Sequence, residues 1–452
     1  MSMMQKTDMV SIREKICYAA GDASANIAWR SVSAFLFIVY TDVFGLGPAS
    51  VGTLMLVARL GDGISDVVIG AIADRTRTRW GSFRPWIFWS IIPLGVSLSA
   101  LFTCPEHLGL AGRLVYAYVT YILFTLIYTA MNIPYGAMIS VMTTDDAERT
   151  SIGSYRMVGA YLGGLVVQGA LIVLKDHFNS YTTPIYILSV IMVVIMPLAF
   201  FGTRERVAPP VGQKNDLWAD LRDLLLHNCP WVILLVTALL FNVVCAVKQG
   251  VTIVYFSHYM NKELLCAGYL TALMLAAAVG AGLTSPLARL IGKRNLFVAS
   301  LVLCGFFTAL IWFCHPGDVH AVFVLGVLGE LFSGIFPTLC FVMLGDVADY
   351  SELRNGRRAT GLTYSATSFA MKFGCGVAGL IIGYVLARYG YDGARPESFE
   401  GARTGMRLLM SLLPGGVAFL AAFIVFFYPI TSARMLDITR ALAERRGRDK
   451  SN

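Results

Sequence analysis

The stretch VARLGDGISD sets Arg59, Asp62 and Asp66 at i, i+3 and i+7, so on a helix the three share one face, with Ser65 beside them. The residues around them are apolar enough to mark a membrane-crossing helix, where an ionised side chain costs at least about 2.5 to 3.5 kcal/mol. Two carboxylates within one turn resist being charged together. They are relieved by taking up a proton or by supplying hard oxygen ligands to sodium. The chemistry on offer is reversible cation binding at Asp62 and Asp66, with Na+ the only metal in view. A plainer use of the same residues is a packing ion pair in which Arg59 neutralises Asp62.

Four basic residues also interrupt apolar stretches: Arg30, Arg156, Lys248 and Lys372. Facing a central cavity, they would hold a substrate carboxylate or a ring of sugar hydroxyls, Arg by its planar fork and Lys as a point charge. The alternative for each is a buried ion pair with Asp22, Glu330, Asp346 or Asp349. Arg30 and Lys248 have no acidic neighbour one turn away on their own helix, which favours the substrate reading for them. Asp346 and Asp349 close the tenth apolar span, where they are expected, with Arg59, to gate the conformational change. Aromatic rings would complete a sugar site by packing on C–H faces, and Trp29 lies next to Arg30. Asn132, just before Ile133 and Pro134 in the fourth span, is a poor choice for a helix interior unless it lines a cavity.

The elements that must carry these residues follow from composition. The 452 residues are 56% hydrophobic and only 14% charged, with a mean hydropathy of +0.66, which excludes a water-soluble globular protein. Apolar stretches near the length needed to cross a bilayer are predicted at 24–44, 50–72, 85–104, 113–141, 153–175, 183–203, 231–257, 265–288, 295–314, 319–345, 361–388 and 405–429. An all-α membrane protein of about twelve helices results. The even number puts both ends on one side, and clusters such as Arg75, Arg77, Arg79 and Arg84, or Lys293 and Arg294, make that side cytoplasmic.

The polar stretch 204–230 separates an N-terminal six-helix half, 1–203, from a C-terminal half, 231–430, followed by a cytoplasmic tail, 431–452. Leu217, Leu221, Leu224 and Leu225 give the connecting stretch the spacing of a short surface helix. The loops after the second and eighth spans, and after the fourth and tenth, look related, as they do in transporters built from six-span repeats. Such a carrier is expected to work as a monomer in the plasma (inner) membrane.

Other function classes find little footing. The net charge of +8 is scattered between spans instead of forming a nucleic-acid face. No GxxxxGK[ST] loop is present for an ATP-driven pump, and the six histidines form no pair suited to catalysis. The nine cysteines show no metal spacing and read as small buried hydrophobes, and no other cofactor is expected. The polar start, MSMMQKTDMVSIREK, does not look like a cleaved signal peptide.

The segments REKICYAAGDAS, YTDVFGL, VGTLMLVARLGDGISD, ADRTRTRWGSFRPW, MNIPYGAM, and GDVADYSE followed by GLTYSATSF resemble the glycoside-pentoside-hexuronide:cation symporters of the major facilitator superfamily, over nearly the whole chain. The resemblance implies alternating access and sugar uptake driven by a sodium or proton gradient. It also implies that Asp62 and Asp66 are the cation carboxylates, that Ser65 replaces a cation-site Asn, and that Thr129, Arg156 and Lys372 match functional residues of melibiose permease. Departures from that relative are Ala25 and Asn26 for a Lys-Asp pair, Asn132 for a sugar-binding Asp, and Gly136 and Pro337 for two Trp residues. With two acidic acceptors gone and Arg30 and Lys248 added, an acidic sugar such as a glucuronide or hexuronide is the expected substrate. A neutral pentoside or glycoside, export or exchange, and a non-transporting sensor are the other readings.

Overall fold

The computed structural model describes residues 10–143, 146–206, 228–355, 360–431 and part of 434–441. The N-terminal half contains α1 (Ile12–Ile38), α2 (Pro48–Arg75), α3 (Arg84–Leu101), α4 (Leu110–Met142), α5 (Asp146–Phe178) and α6 (Thr182–Ile195, continued by Pro197–Gly202). The C-terminal half contains α7 (Cys229–Val254), α8 (Glu263–Ile291), α9 (Lys293–Leu310), α10 (Val319–Ser333, continued by Ile335–Asn355), α11 (Thr360–Arg388) and α12 (Ser398–Met410, continued by Leu412–Phe426). The expected surface helix around Leu217 to Leu225 lies outside the described residues.

Helices are the form that satisfies backbone groups inside lipid, and their starts carry ordinary signals. Ser11 caps α1 by accepting from the Glu14 N–H at 3.2 Å, and Asn228 caps α7 by accepting from the Trp231 N–H at 3.2 Å. Nine helical stretches among the described residues are long and apolar enough to cross a membrane. The first three helices fall outside that set, and α1 and α2 do so while carrying Asp22, Arg30, Arg59, Asp62 and Asp66. Charges that signal a site also dilute the hydropathy by which a span is recognised.

The helix that carries the first predicted span begins at Ile12, twelve residues before the predicted apolar start at 24. The extra turns are polar and held by ion pairs: Glu14 with Arg206 at 2.7 Å and Lys15 with Glu148 at 2.8 Å. At the same end of the bundle, Glu205 accepts from the backbone N–H groups of Ser82, Phe83 and Arg84 at 2.8 to 2.9 Å. A carboxylate at the start of α3 satisfies its free donors and opposes its dipole. The RWGSFRPW segment is thereby a clamp on the loop between α2 and α3.

The halves meet along α2 with α11, α5 with α8, and α1 with α7. The α2–α11 crossing is close because glycine permits it: a Cβ on Gly383 would lie 2.2 Å from the Pro48 carbonyl oxygen. Apolar side chains such as Ile64, Trp89 and Phe201 face outward, as a lipid-facing surface requires.

Candidate functional site

Asp62 is buried in α2 and fully engaged. Its Oδ2 accepts from Arg59 Nη1 at 3.2 Å and its Oδ1 from the Thr129 hydroxyl of α4 at 2.7 Å. Arg59 also donates to the Tyr121 hydroxyl at 3.2 Å and lies 4.2 Å over the Trp29 ring. The ion pair that sequence spacing offered as the plainer use of Arg59 is thus formed, and Arg59 sits in the carboxylate cluster itself.

Asp66, one turn on, is held from the other half. Its Oδ2 accepts a hydrogen bond from Lys372 Nζ of α11, which also stands 3.8 Å from Asp62 Oδ2. The second oxygen of Asp66, Oδ1, is buried and meets no hydrogen-bond partner among the described residues. Ser65 donates to the Asp62 carbonyl at 2.9 Å, so its hydroxyl proton is spent within the helix while its lone pairs stay available. Carboxylate oxygens, a threonine hydroxyl and an unfilled buried acceptor are a donor set that suits a proton or a small hard cation.

Beside this cluster a cavity of about 320 Å³ is lined by Trp29, Arg30, Arg59, Tyr121, Asn242 and Lys372, among others. A second compartment of about 600 Å³ is lined by Arg30, Gln168, Lys248, Gln249, Glu330 and Pro337, among others. Arg30, Asn242, Cys245 and Gln249 border both, so the two compartments adjoin and share these side chains. Their size is that of sites for small organic molecules.

The expected substrate residues divide. Trp29, Arg30, Lys248 and Lys372 line the cavity, whereas Asn26, Asn132 and Arg156 line neither compartment. Lys248 is ion-paired with Glu330 at 2.8 Å, the alternative that the sequence left open. Arg156 is paired with Asp22 at 3.3 Å and lies over the Tyr135 ring. Asn26 donates to the Asp22 carbonyl at 3.0 Å. Arg30 makes no hydrogen bond or ion pair among the described residues, and its Nε is buried.

Of the expected gating residues, Asp346 is bonded to Lys293 at 2.6 Å inside the C-terminal half, and Asp349 lies one turn on along α10. The Asp346–Lys293 pair does not join the halves. Besides the Asp66–Lys372 bond, two clusters among the described residues join the halves at the opposite end, away from the termini. Asp42 meets His258 at 2.7 Å and accepts from the Tyr391 hydroxyl at 2.6 Å, while Glu263 bonds Lys175 at 2.7 Å and the Tyr181 hydroxyl at 3.0 Å. Sequence reasoning missed these clusters because their members stand singly at span ends, far apart in the chain. It also missed Gln168, Asn242 and Gln249, whose only signal was an amide inside an apolar span.

Two packed six-helix halves around a central cavity, with ionisable groups shared between them, define a membrane carrier of the major facilitator type. Residues 17–432 match the family described as MFS/sugar transport protein, and the chain belongs to that family. It is 33% identical to the inner membrane symporter YicJ of Escherichia coli (strain K12), over 97% of this chain and 96% of that one. It is 32% identical to the isoprimeverose transporter of Lactiplantibacillus pentosus, over 87% and 84% of the two chains. It is 30% identical to a glucuronide carrier protein homolog of Escherichia coli (strain K12), over 97% and 96%. Among solved structures it is similar in fold to a bacterial homolog of the human lysosomal transporter Spinster in an inward-facing, unoccupied conformation, with a TM-score of 0.72, 12% identity, and coverage of 95% of this chain and 99% of that one.

Proposed function

We propose that this chain carries a sugar derivative across the plasma (inner) membrane together with H+ or Na+, by alternating access, with both termini in the cytoplasm. The observation that carries the reading is Asp66, bonded through one oxygen to Lys372 of the opposite half while its other oxygen lies buried without a partner among the described residues. A bond between halves has to break when the halves rock apart, and a lone carboxylate left in that setting is costly. A cation that takes the place of Lys372 on Asp66 keeps the charge balanced and releases the link. Asp62, Thr129 and Ser65 supply the neighbouring oxygens.

Substrate coupling follows from adjacency. Lys372 and Arg59 border the cavity on one side and hold the two carboxylates on the other, so whatever occupies the cavity alters the cation site. If the cation raises substrate affinity by some factor, the substrate raises cation affinity by the same factor. Asn26, Asn132 and Arg156 act in this reading as supports around the cavity, with Arg156 holding Asp22 in place.

For the substrate we favour an acidic sugar, because the described residues lining the larger compartment carry two bases, Arg30 and Lys248, against one acid, Glu330. A neutral glycoside is the second reading, favoured by Lys248 being neutralised by Glu330. The deciding experiment is gradient-driven uptake by Asp62→Asn and Asp66→Asn variants across pH and sodium concentration. Loss of accumulation with facilitated exchange retained supports cation coupling, and unchanged accumulation in both rejects it.

A further inference from the structure

Among the described residues, three buried polar atoms without a hydrogen-bond partner belong to residues that border the larger compartment: Arg30 Nε of α1, Gln168 Oε1 of α5 and Gln249 Nε2 of α7. Polar groups left unbonded in such surroundings are costly, and one or two per site call for an explanation. Their arrangement is built. Arg30 passes over Gly164 of α5, where a Cβ would stand 3.5 Å from its Nε, and Gln168 lies one turn further along the same face. Arg30 and Gln249 border both compartments, which puts them at the waist between the two.

The chemistry of the set is two donors and one acceptor. Glu330 is paired with Lys248 and also acts on Arg30, so two bases against one acid leave one positive charge in excess among the described residues lining the compartment. We infer that Arg30, Gln168 and Gln249 form a specificity site that reads a hydroxyl adjacent to a carboxylate: Arg30 and Gln249 donate to the carboxylate oxygens and Gln168 accepts from the hydroxyl. This rests on the reading of the cavity as a sugar-derivative site and names the residues that choose among such substrates. A uronic ring carries that edge, and a neutral hexoside lacks its charged part.

The test is equilibrium binding to the purified full-length protein in lipid nanodiscs, with methyl β-D-glucuronide and methyl β-D-glucoside as probes. The parent protein prefers the glucuronide, and Arg30→Ala abolishes the preference. Gln168→Leu weakens both probes by about tenfold, the effect of one hydrogen bond to a buried partner. Gln168→Glu, which sets a second carboxylate against the first, weakens the glucuronide by a further factor of about ten and spares the glucoside, since a glutamate still accepts from a hydroxyl. The sodium and pH dependence of binding stay at parental values in Gln168→Leu, which a general collapse of the cavity would not allow. Gln168→Leu binding both probes within about twofold of the parent, or Gln168→Glu weakening both equally, overturns the inference. Failure of the parent to bind either probe overturns instead the sugar reading on which it rests.

Discussion

Asp42 and His258 occupy the fourth position of two five-residue π-helical turns, one closing α1 and the other closing α7, and their side chains meet at 2.7 Å. Each turn sits at the same place in its half, so the pair is a contact between corresponding points of the two repeats. Thr41 and Tyr391 complete the Asp42 oxygens with hydroxyl donors at 2.7 and 2.6 Å, and Phe399 packs on the His258 ring. One-turn π segments bring an extra residue into register, which is how two helix ends converge here.

This pair predicts a latch at the end away from the termini. Asp42→Asn weakens a bond to a charged acceptor that is worth about 1.5–3 kcal/mol, so the population opened at that end rises by about tenfold or more. Cys245, which borders both compartments, is the reporter. Its labelling by a membrane-impermeant maleimide in whole cells is expected to rise accordingly in Asp42→Asn, with His258→Ala behaving alike. Labelling at the parental rate in both would show that the pair does not hold the end shut.

On the proposed reading, the coupling cation and Lys372 compete for the Asp66 oxygen that Lys372 holds. Replacing Lys372 with alanine removes the competitor, and a charged hydrogen bond of this kind corresponds to about tenfold in affinity. The half-saturating concentration of the coupling ion, read from binding in nanodiscs, is therefore expected to fall in Lys372→Ala while transport slows. An unchanged half-saturation point would mean that Lys372 does not guard the site.

The Lys248–Glu330 pair predicts non-additive stability. Glu330→Gln strands a buried ammonium, and a pair broken on one side costs about 3–5 kcal/mol when fully buried. Glu330 is a fifth exposed, at 22%, so about 2 kcal/mol is the expectation here. Thermal unfolding should show Lys248→Met combined with Glu330→Leu recovering most of that loss. If the double variant is as unstable as the sum of the singles, the pair is not a coupled unit.

The α2–α11 crossing predicts a steric failure. Gly383→Val would force a side chain against the Pro48 carbonyl and Gly52, which backbone cannot yield as a flexible side chain can. Overpacking of this sort costs about 1–3 kcal/mol and separates the halves at one end. A lowered unfolding temperature together with faster Cys245 labelling is the expected signature. Gly61, where an added Cβ meets nothing within 4 Å, serves as the control through Gly61→Ala.

Much of the fold was legible in one dimension because lipid imposes it. Long apolar runs have to be helices, and the polar break after the sixth places the division into halves. Asp62 and Asp66 were legible for the same reason, since a charge in such a run needs a purpose. The first three helices show the limit: the charges of α1 and α2 lower the very signal that marks a span, and the polar turns from Ile12 lie outside the apolar run, with their ion partners, Glu148 and Arg206, far along the chain.

What the chain determined alone is local: helix positions, the side-by-side placement of Arg59, Asp62 and Asp66, and the excess of base over acid inside the spans. Which base meets which acid was decided only in three dimensions, because ion pairs form through space between helices tens or hundreds of residues apart. Lys372 reached Asp66, Arg156 reached Asp22 and Lys248 reached Glu330, while Arg30 was left facing the cavity. Packing of the halves made that allocation, and with it the placing of the Asp62–Asp66 cluster beside the cavity.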